Sequence, residues 1–237
     1  VCRLRHGRHL DIGYLGDSPG RGVQRVGHLA ESAVGVAAYA VEIDHAGGHA
    51  GGLICYFADL DAVKAHAGCD ILMLSQEILY AAKAAQEGQP LIQKLFEAAS
   101  KAESVHAANH NKVLEKLGAT MEPIDIQIHV GTTAENLKAA IAGETHEFES
   151  MYPEFIAVAE EEGQKAAVRS FTWATEAEKE HADFYSVALK ALESGDTSSL
   201  PRQYWICLVC GDTFKSLEGV DACPLCGTKA EKFLVIG

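Results

Sequence analysis

The chain has 237 residues, 48% apolar and 22% charged, with a formal net charge of −13. Such a composition buries a sizeable core and excludes global disorder, and the length allows one or two domains. The acidic balance argues against a binder of nucleic acid or of anionic membranes, and no window nears the roughly 18 consecutive apolar residues of a membrane span.

Residues 1–63 hold five arginines, no lysine and half of the 22 glycines, whereas residues 64–237 hold two arginines and thirteen lysines. The first stretch shows no sustained period of 3.6 or 2. It reads as an unassigned, Gly/Arg-rich segment, disordered or foreign to the domain behind it. No apolar run directly follows the basic start Val1–His9, so a signal peptide is not expected. His45 and His49 lie in a Gly-rich run and are not expected to bind metal, and Cys2, Cys55 and Cys69 read as free thiols.

Further on the texture is helical. Asp70–Glu87 and Pro90–Leu117 place apolar residues at i, i+3, i+4, with Gly88 between them. Met121–Val130 is extended. Thr132 with Glu135 forms a capping box for a helix to about Glu162, Gly163 breaks it, and a last helix runs from Lys165 to about Leu192. Helices in two hairpins with one longer crossover predict a mainly α chain, a ferritin-like four-helix bundle over 64–194. Residues 195–203 read as a linker and 204–237 as a small second domain.

Glu-Gly-Gln at 87–89 recurs at 162–164, and each copy is followed by Glu-x-x-His: Glu103/His106 and Glu178/His181, all offset by 75. Each motif puts a carboxylate and an imidazole on one helix face. Glu144 and Glu147 repeat the spacing on the third helix. Unpaired carboxylates are costly in a bundle core, and a pair of metal ions bound by oxygen and imidazole nitrogen removes that cost. Asp70, or Glu77 two turns on, is the first helix's candidate ligand. His110 and His146 read as bystanders, His110 near the site or on the surface, and Phe171 and Trp173 as packing residues.

Cys207, Cys210, Cys223 and Cys226 form two C-x2-C knuckles, each followed by glycine. This is a tetrahedral thiolate signal for Zn or a single Fe. In a chain without a clear secretory signal it favours a reducing compartment, hence the cytoplasm. Tyr204, Trp205, Phe214 and Phe233 are expected to pack around the metal, and the neighbouring bundle favours iron.

Ala102-Glu103-Ser-Val-His106, Gly143-Glu144-Thr-His-Glu147 running into Met151-Tyr152-Pro153, Glu178-Lys-Glu-His181 and the four-cysteine tail together resemble the rubrerythrin family over about 70–237. The resemblance implies a ferritin-like di-iron bundle followed by a rubredoxin-like Fe(Cys)4 domain. It implies Glu103, His106, Glu144, Glu147, Glu178 and His181 as iron ligands, Asp70 at the first-helix ligand position, and Tyr152 as a hydrogen-bond donor beside the irons. One carboxylate of the Glu144/Glu147 pair would move with oxidation state. The family's Gly-Glu-Ser-Gln-Ala run and the tyrosine later on that helix are absent. The implied activity is reduction of hydrogen peroxide to water, with electrons from an NADH-linked rubredoxin reductase-type donor. Because the two iron sites of one chain are expected to lie far apart, the resemblance also implies a head-to-tail homodimer. The alternatives are a di-iron oxidase or ferroxidase using dioxygen, or a metal-binding or iron-storage protein without turnover.

Overall fold

The computed structural model describes residues 24–25, 41–44, 61–119 and 126–237, with side chains over 70–119 and 127–237. His45, His49, Cys2 and Cys55 lie outside the described residues, and Cys69 is described in its helical backbone only.

Helix α1 (Asp61–Gln86) starts ahead of the expected Asp70 and runs through Gly68. One helical glycine costs only about 1 kcal/mol against alanine, and the alanines at 62, 65 and 67 favour helix. Gly88 at φ +71° then reverses the chain into α2 (Pro90–Lys116). The amide of Gly88 bonds to the Ala85 carbonyl and that of Gln89 to the Ala84 carbonyl. The same turn recurs 75 residues on, where Gly163 bonds to Glu160 and Gln164 to Ala159, before α5 (Lys165–Ser194). The sequence repeat is therefore a repeated hairpin.

Between the hairpins runs the crossover. It carries β3 (Ile126–His129), one edge of a short three-stranded sheet in which β1 (Gln24–Arg25) pairs antiparallel with β2 (Val41–Asp44), and β2 pairs parallel with β3. Two short strands of the Gly/Arg-rich stretch thus have an ordered partner. Ile128 enters the bundle core, and the Tyr80 hydroxyl bonds to the His129 carbonyl at 3.3 Å. Thr132 caps α3 (Thr133–His146) in the expected box, its side chain accepting from the Glu135 amide while Glu135 accepts from the Thr132 amide. A π-turn, Glu147–Met151, joins α3 to α4 (Tyr152–Glu161).

Two apolar clusters fill the bundle. One contains Ile92, Leu95, Phe96, Leu137 and Tyr185, the other Leu114, Tyr152, Phe155 and Phe171. On α2, α3 and α5 the acid and histidine motifs fall in sequence between residues of the two clusters, so a polar layer is sealed by apolar layers on both sides. Among the described residues no helix is long and apolar enough to cross a membrane.

The C-terminal unit is a small antiparallel sheet of order β5-β4-β6, formed by β4 (Tyr204–Ile206), β5 (Thr213–Phe214) and β6 (Leu234–Ile236). Phe214 and Phe233 stack at 5.1 Å beside the cysteines. Tyr204 departs from expectation. It turns away from the cysteines into the bundle core, 5.8 Å from Phe184.

Candidate metal centres

The π-turn shapes the third wall of the bundle site. Proline has no amide hydrogen and clashes with the carbonyl four residues back in an α-helix. Ahead of Pro153 the ladder lengthens, and the Tyr152 amide reaches the Glu147 carbonyl five residues back. Single π-turns of this kind re-aim side chains at functional sites. Here Glu144 lies in the last turn of α3 and Glu147 opens the π-turn, and both are buried.

Ligand atoms of Glu103, Glu144, Glu178 and His181 lie within 4.8 Å of one another. His181 Nδ1 is 2.9 Å from Glu178 and 3.5 Å from Glu144. His106 Nδ1 is 3.0 Å from the other Glu178 oxygen and 3.7 Å from Glu103. Glu178 therefore bridges the two imidazoles. Asp70 and Glu147 lie buried beside this cluster, within electrostatic reach of Glu103 and Glu178. His146 is half-buried and outside it.

Burial dominates the electrostatics. It pushes Asp70, Glu77, Glu144 and Glu147 well above the ordinary carboxylate range, and the neighbouring acids push further. Glu103 is pushed to about 7 by burial and by the Glu178 charge. Burial would raise Glu178 too, but the imidazoles on either side hold it well below its usual value. Both oxygens of Glu103 and Glu144 are buried without a hydrogen-bond partner. Orphaned acceptors at this density are expensive. Oxygen and imidazole donors converging on one dry point fit a pair of divalent ions.

The two ends of the layer differ. At one, Asp70 lies 3.5 Å from His110 Nε2, His110 Nδ1 lies 2.8 Å from Ser170 Oγ, and the Tyr152 hydroxyl faces Asp70. At the other, the Tyr185 hydroxyl donates to Glu77, whose second oxygen has no partner. Glu77 and Tyr152 are 75 residues apart, as are His110 and Tyr185. Motif spacing alone does not decide His110 or single out Tyr185, although the repeat offset pairs them.

The four cysteines are free and form the second centre. Cys207 and Cys226 sulfurs are 3.5 Å apart, Cys210 and Cys223 sulfurs 3.4 Å, and all four lie within 4.8 Å. A tetrahedron with metal–sulfur bonds of about 2.3 Å has edges of about 3.8 Å, so the set fits one metal ion. The two knuckles repeat each other, with Gly211 donating to the Cys207 carbonyl and Gly227 to the Cys223 carbonyl. Both glycines have left-handed φ, +89° and +75°. Hydrogen bonding from Cys210, then backbone amides, lowers the Cys207 thiol to about 5, whereas Cys207 and burial raise Cys210 and burial raises Cys223.

Residues 79–189 match the rubrerythrin family model, and residues 205–234 match the rubrerythrin rubredoxin-like domain. Rubrerythrin-2 of Clostridium acetobutylicum is 33% identical over 162 residues, covering 66% of this chain and 84% of that protein. The chain belongs to the rubrerythrin family. Rubrerythrin of Porphyromonas gingivalis is 34% identical over 158 residues, covering 64% of this chain and 76% of that protein. The structure of fully reduced, all-ferrous nigerythrin superposes with a TM-score of 0.67 at 27% identity, covering 77% of this chain and 88% of that one. The rubrerythrin fold, with a carboxylate/histidine di-iron site and a rubredoxin-like four-cysteine site, is thereby in place.

One expectation is overturned. The sequence reading puts the two centres of one rubrerythrin chain far apart, but here they meet. The linker folds back along α2, with Leu200 in the bundle core and Lys94 Nζ donating to the Arg202 carbonyl at 3.0 Å. The Cys207–Cys210 knuckle then lands on the polar layer. Asn109 Nδ2 donates to the Val209 carbonyl at 2.8 Å, and His181 Nε2 lies 3.1 Å from Thr213 Oγ1. Trp173 of α5 packs against the cysteine cluster rather than within the bundle alone.

Proposed function

We propose that this chain is a non-haem iron peroxidase that reduces hydrogen peroxide to two waters in its bundle, with electrons delivered through the four-cysteine centre. On this reading residues 64–194 are the ferritin-like domain, 195–203 the linker and 204–237 the rubredoxin-like domain. Glu103, His106, Glu144, Glu147, Glu178, His181 and Asp70 hold two irons, and Cys207, Cys210, Cys223 and Cys226 hold one. When bound, a ferrous pair supplies the two electrons that, with two protons, convert one peroxide into two waters.

The chain's own residues prepare the place. Glu178 sets the two imidazoles with their Nδ1 atoms inward. Apolar clusters on both sides exclude bulk water, which strengthens every charge interaction inside. Tyr152 offers a hydroxyl at the Asp70 end. The observation that carries the reading is the union, in one chain, of a buried four-residue acid/histidine cluster and a tetrathiolate set. An NADH-linked rubredoxin reductase-type partner would keep the second centre reduced in the cytoplasm, and the protein would work as a homodimer.

Stopped-flow mixing of the reduced, iron-loaded protein with peroxide or with dioxygen tests this. Faster oxidation by peroxide, together with peroxide-dependent NADH consumption when a reductase is added, is the expected result. Preferential reaction with dioxygen would make the protein an oxidase or ferroxidase. A colourless protein with zinc on its four cysteines would remove the electron-transfer half.

A further inference from the structure

We propose that Glu77, held by Tyr185, is a metal ligand of the bundle site in its own right, so that the first helix supplies two carboxylates, Asp70 at one end of the polar layer and Glu77 at the other. The inference rests on the di-iron reading above and deepens it by adding a ligand.

Spacing on α1 offers Asp70 and Glu77 as alternatives, and the structure gives each its own end. They stand two turns apart, about 10 Å along one face of the helix, and both are fully buried. Asp70 lies in electrostatic reach of Glu103, His106 and Glu178, whereas Glu77 lies in reach of Glu144, Glu103 and His181. Each therefore accompanies a different histidine. The two phenols mark the same division. Tyr152 is in reach of Asp70 and Glu147, Tyr185 in reach of Glu77 and Glu144. Glu103 and Glu178 lie between, each within 4.0 Å of both imidazoles. With Glu77 counted, either end has one histidine and two acids of its own. Without it, the His181 end is one acid short.

The chemistry at position 77 agrees with this placement. The Tyr185 hydroxyl donates to one Glu77 oxygen, and the other is buried without a hydrogen-bond partner. A glutamine would accept the same bond with no charge to bury. An acid there, with an unpartnered oxygen among other acids, is costly unless a cation meets it. A ligating carboxylate is commonly steadied in this way, with a neighbour's hydrogen bond orienting it toward the metal. The layer then holds six buried acids, Asp70, Glu77, Glu103, Glu144, Glu147 and Glu178, which match the charge of two trivalent ions.

The reduced, iron-loaded full chain provides the test, with ferrous iron as the probe and no peroxide present. Glu77→Gln keeps an acceptor for Tyr185 and removes the charge, whereas Tyr185→Phe keeps the charge and removes the donor. On mixing with a ferrous chelator, Glu77→Gln should lose one of its two bundle irons about tenfold faster than wild type, with the other iron unaffected. Tyr185→Phe should speed the same iron by a smaller factor. Mössbauer spectra of both variants should change in one bundle ferrous signal and leave the tetrathiolate signal unaltered. Wild-type release and spectrum in Glu77→Gln would overturn the inference. Equal acceleration of both irons, the mark of a loosened bundle, would overturn it too. Should Glu77→Gln lose its far-ultraviolet helicity, Tyr185→Phe decides: one altered bundle signal supports the ligand, and none overturns it. A wild type that binds no bundle iron would sink the di-iron reading and the inference together, whereas two bound irons without peroxide turnover would sink the peroxidase reading alone.

Discussion

Glu178 carries a disproportionate share of the site, because it is the only acid of the layer held well below its ordinary value while most of its neighbours are driven up. Glu178→Gln should leave His106 and His181 without their common partner and sharply lower bundle iron, measured per chain against the unchanged red tetrathiolate. The chelated protein should also show an inverted pH response. Asp70, Glu77, Glu103, Glu144 and Glu147 have folded-state values above their unfolded ones, so their stabilising contribution is full below about 3.8 for Asp70 and about 4.5 for the glutamates and is lost as pH rises, for Glu103 through about 7. His106 and His181 are raised too and act with the same sign, whereas the depressed Glu178 contributes throughout that window. The urea midpoint of the metal-free chain should therefore fall between about pH 5 and about pH 8, and iron should flatten the slope. A midpoint rising with pH would contradict this assignment. At this scale the sequence was largely readable. Glu-x-x-His spacing twice in register marks inward positions by itself, whereas the Glu77–Tyr185 bond links residues 108 apart on two helices, and no local spacing signals it.

Helices show where local rules suffice and where packing intervenes. The Thr132–Glu135 box is local chemistry and appears as expected. Thr132→Ala should cost about 1 kcal/mol, read from the denaturant midpoint. Local rules do not signal the π-turn, although Pro153 is visible, because one proline can equally well open a helix as lengthen a turn. Pro153→Ala returns the missing amide and should let the segment relax toward α-helical register, withdrawing Glu147. Reduced bundle iron at unchanged far-ultraviolet helicity is the expected signature. Tyr204 packs in the bundle core and not around the cysteines for a related reason. An aromatic at a strand start announces burial without saying against what, and here Phe184 of α5 is the answer.

For the molecule as a whole, the decisive feature is the fold-back of the linker. Its composition, rich in Ser, Gly and Pro, reads as a loose tether, yet Leu200 is only 5% exposed and lies in the bundle core. Leu200→Ala should destabilise the chain by roughly 2–5 kcal/mol and speed cleavage of the linker, whereas a free tether would show neither effect. Family resemblance could not supply this placement, since a motif fixes the shape of each unit and leaves their docking to contacts far apart in sequence. The duplicated hairpin also has a directional outcome. Both halves share one frame, yet divergence has set an imidazole and a phenol beside Asp70 at one end against a carboxyl and a phenol, Glu77 and Tyr185, at the other. Two ions seated in this layer would occupy inequivalent berths, so the built-in polarity of the cavity would distinguish which of them gains charge first.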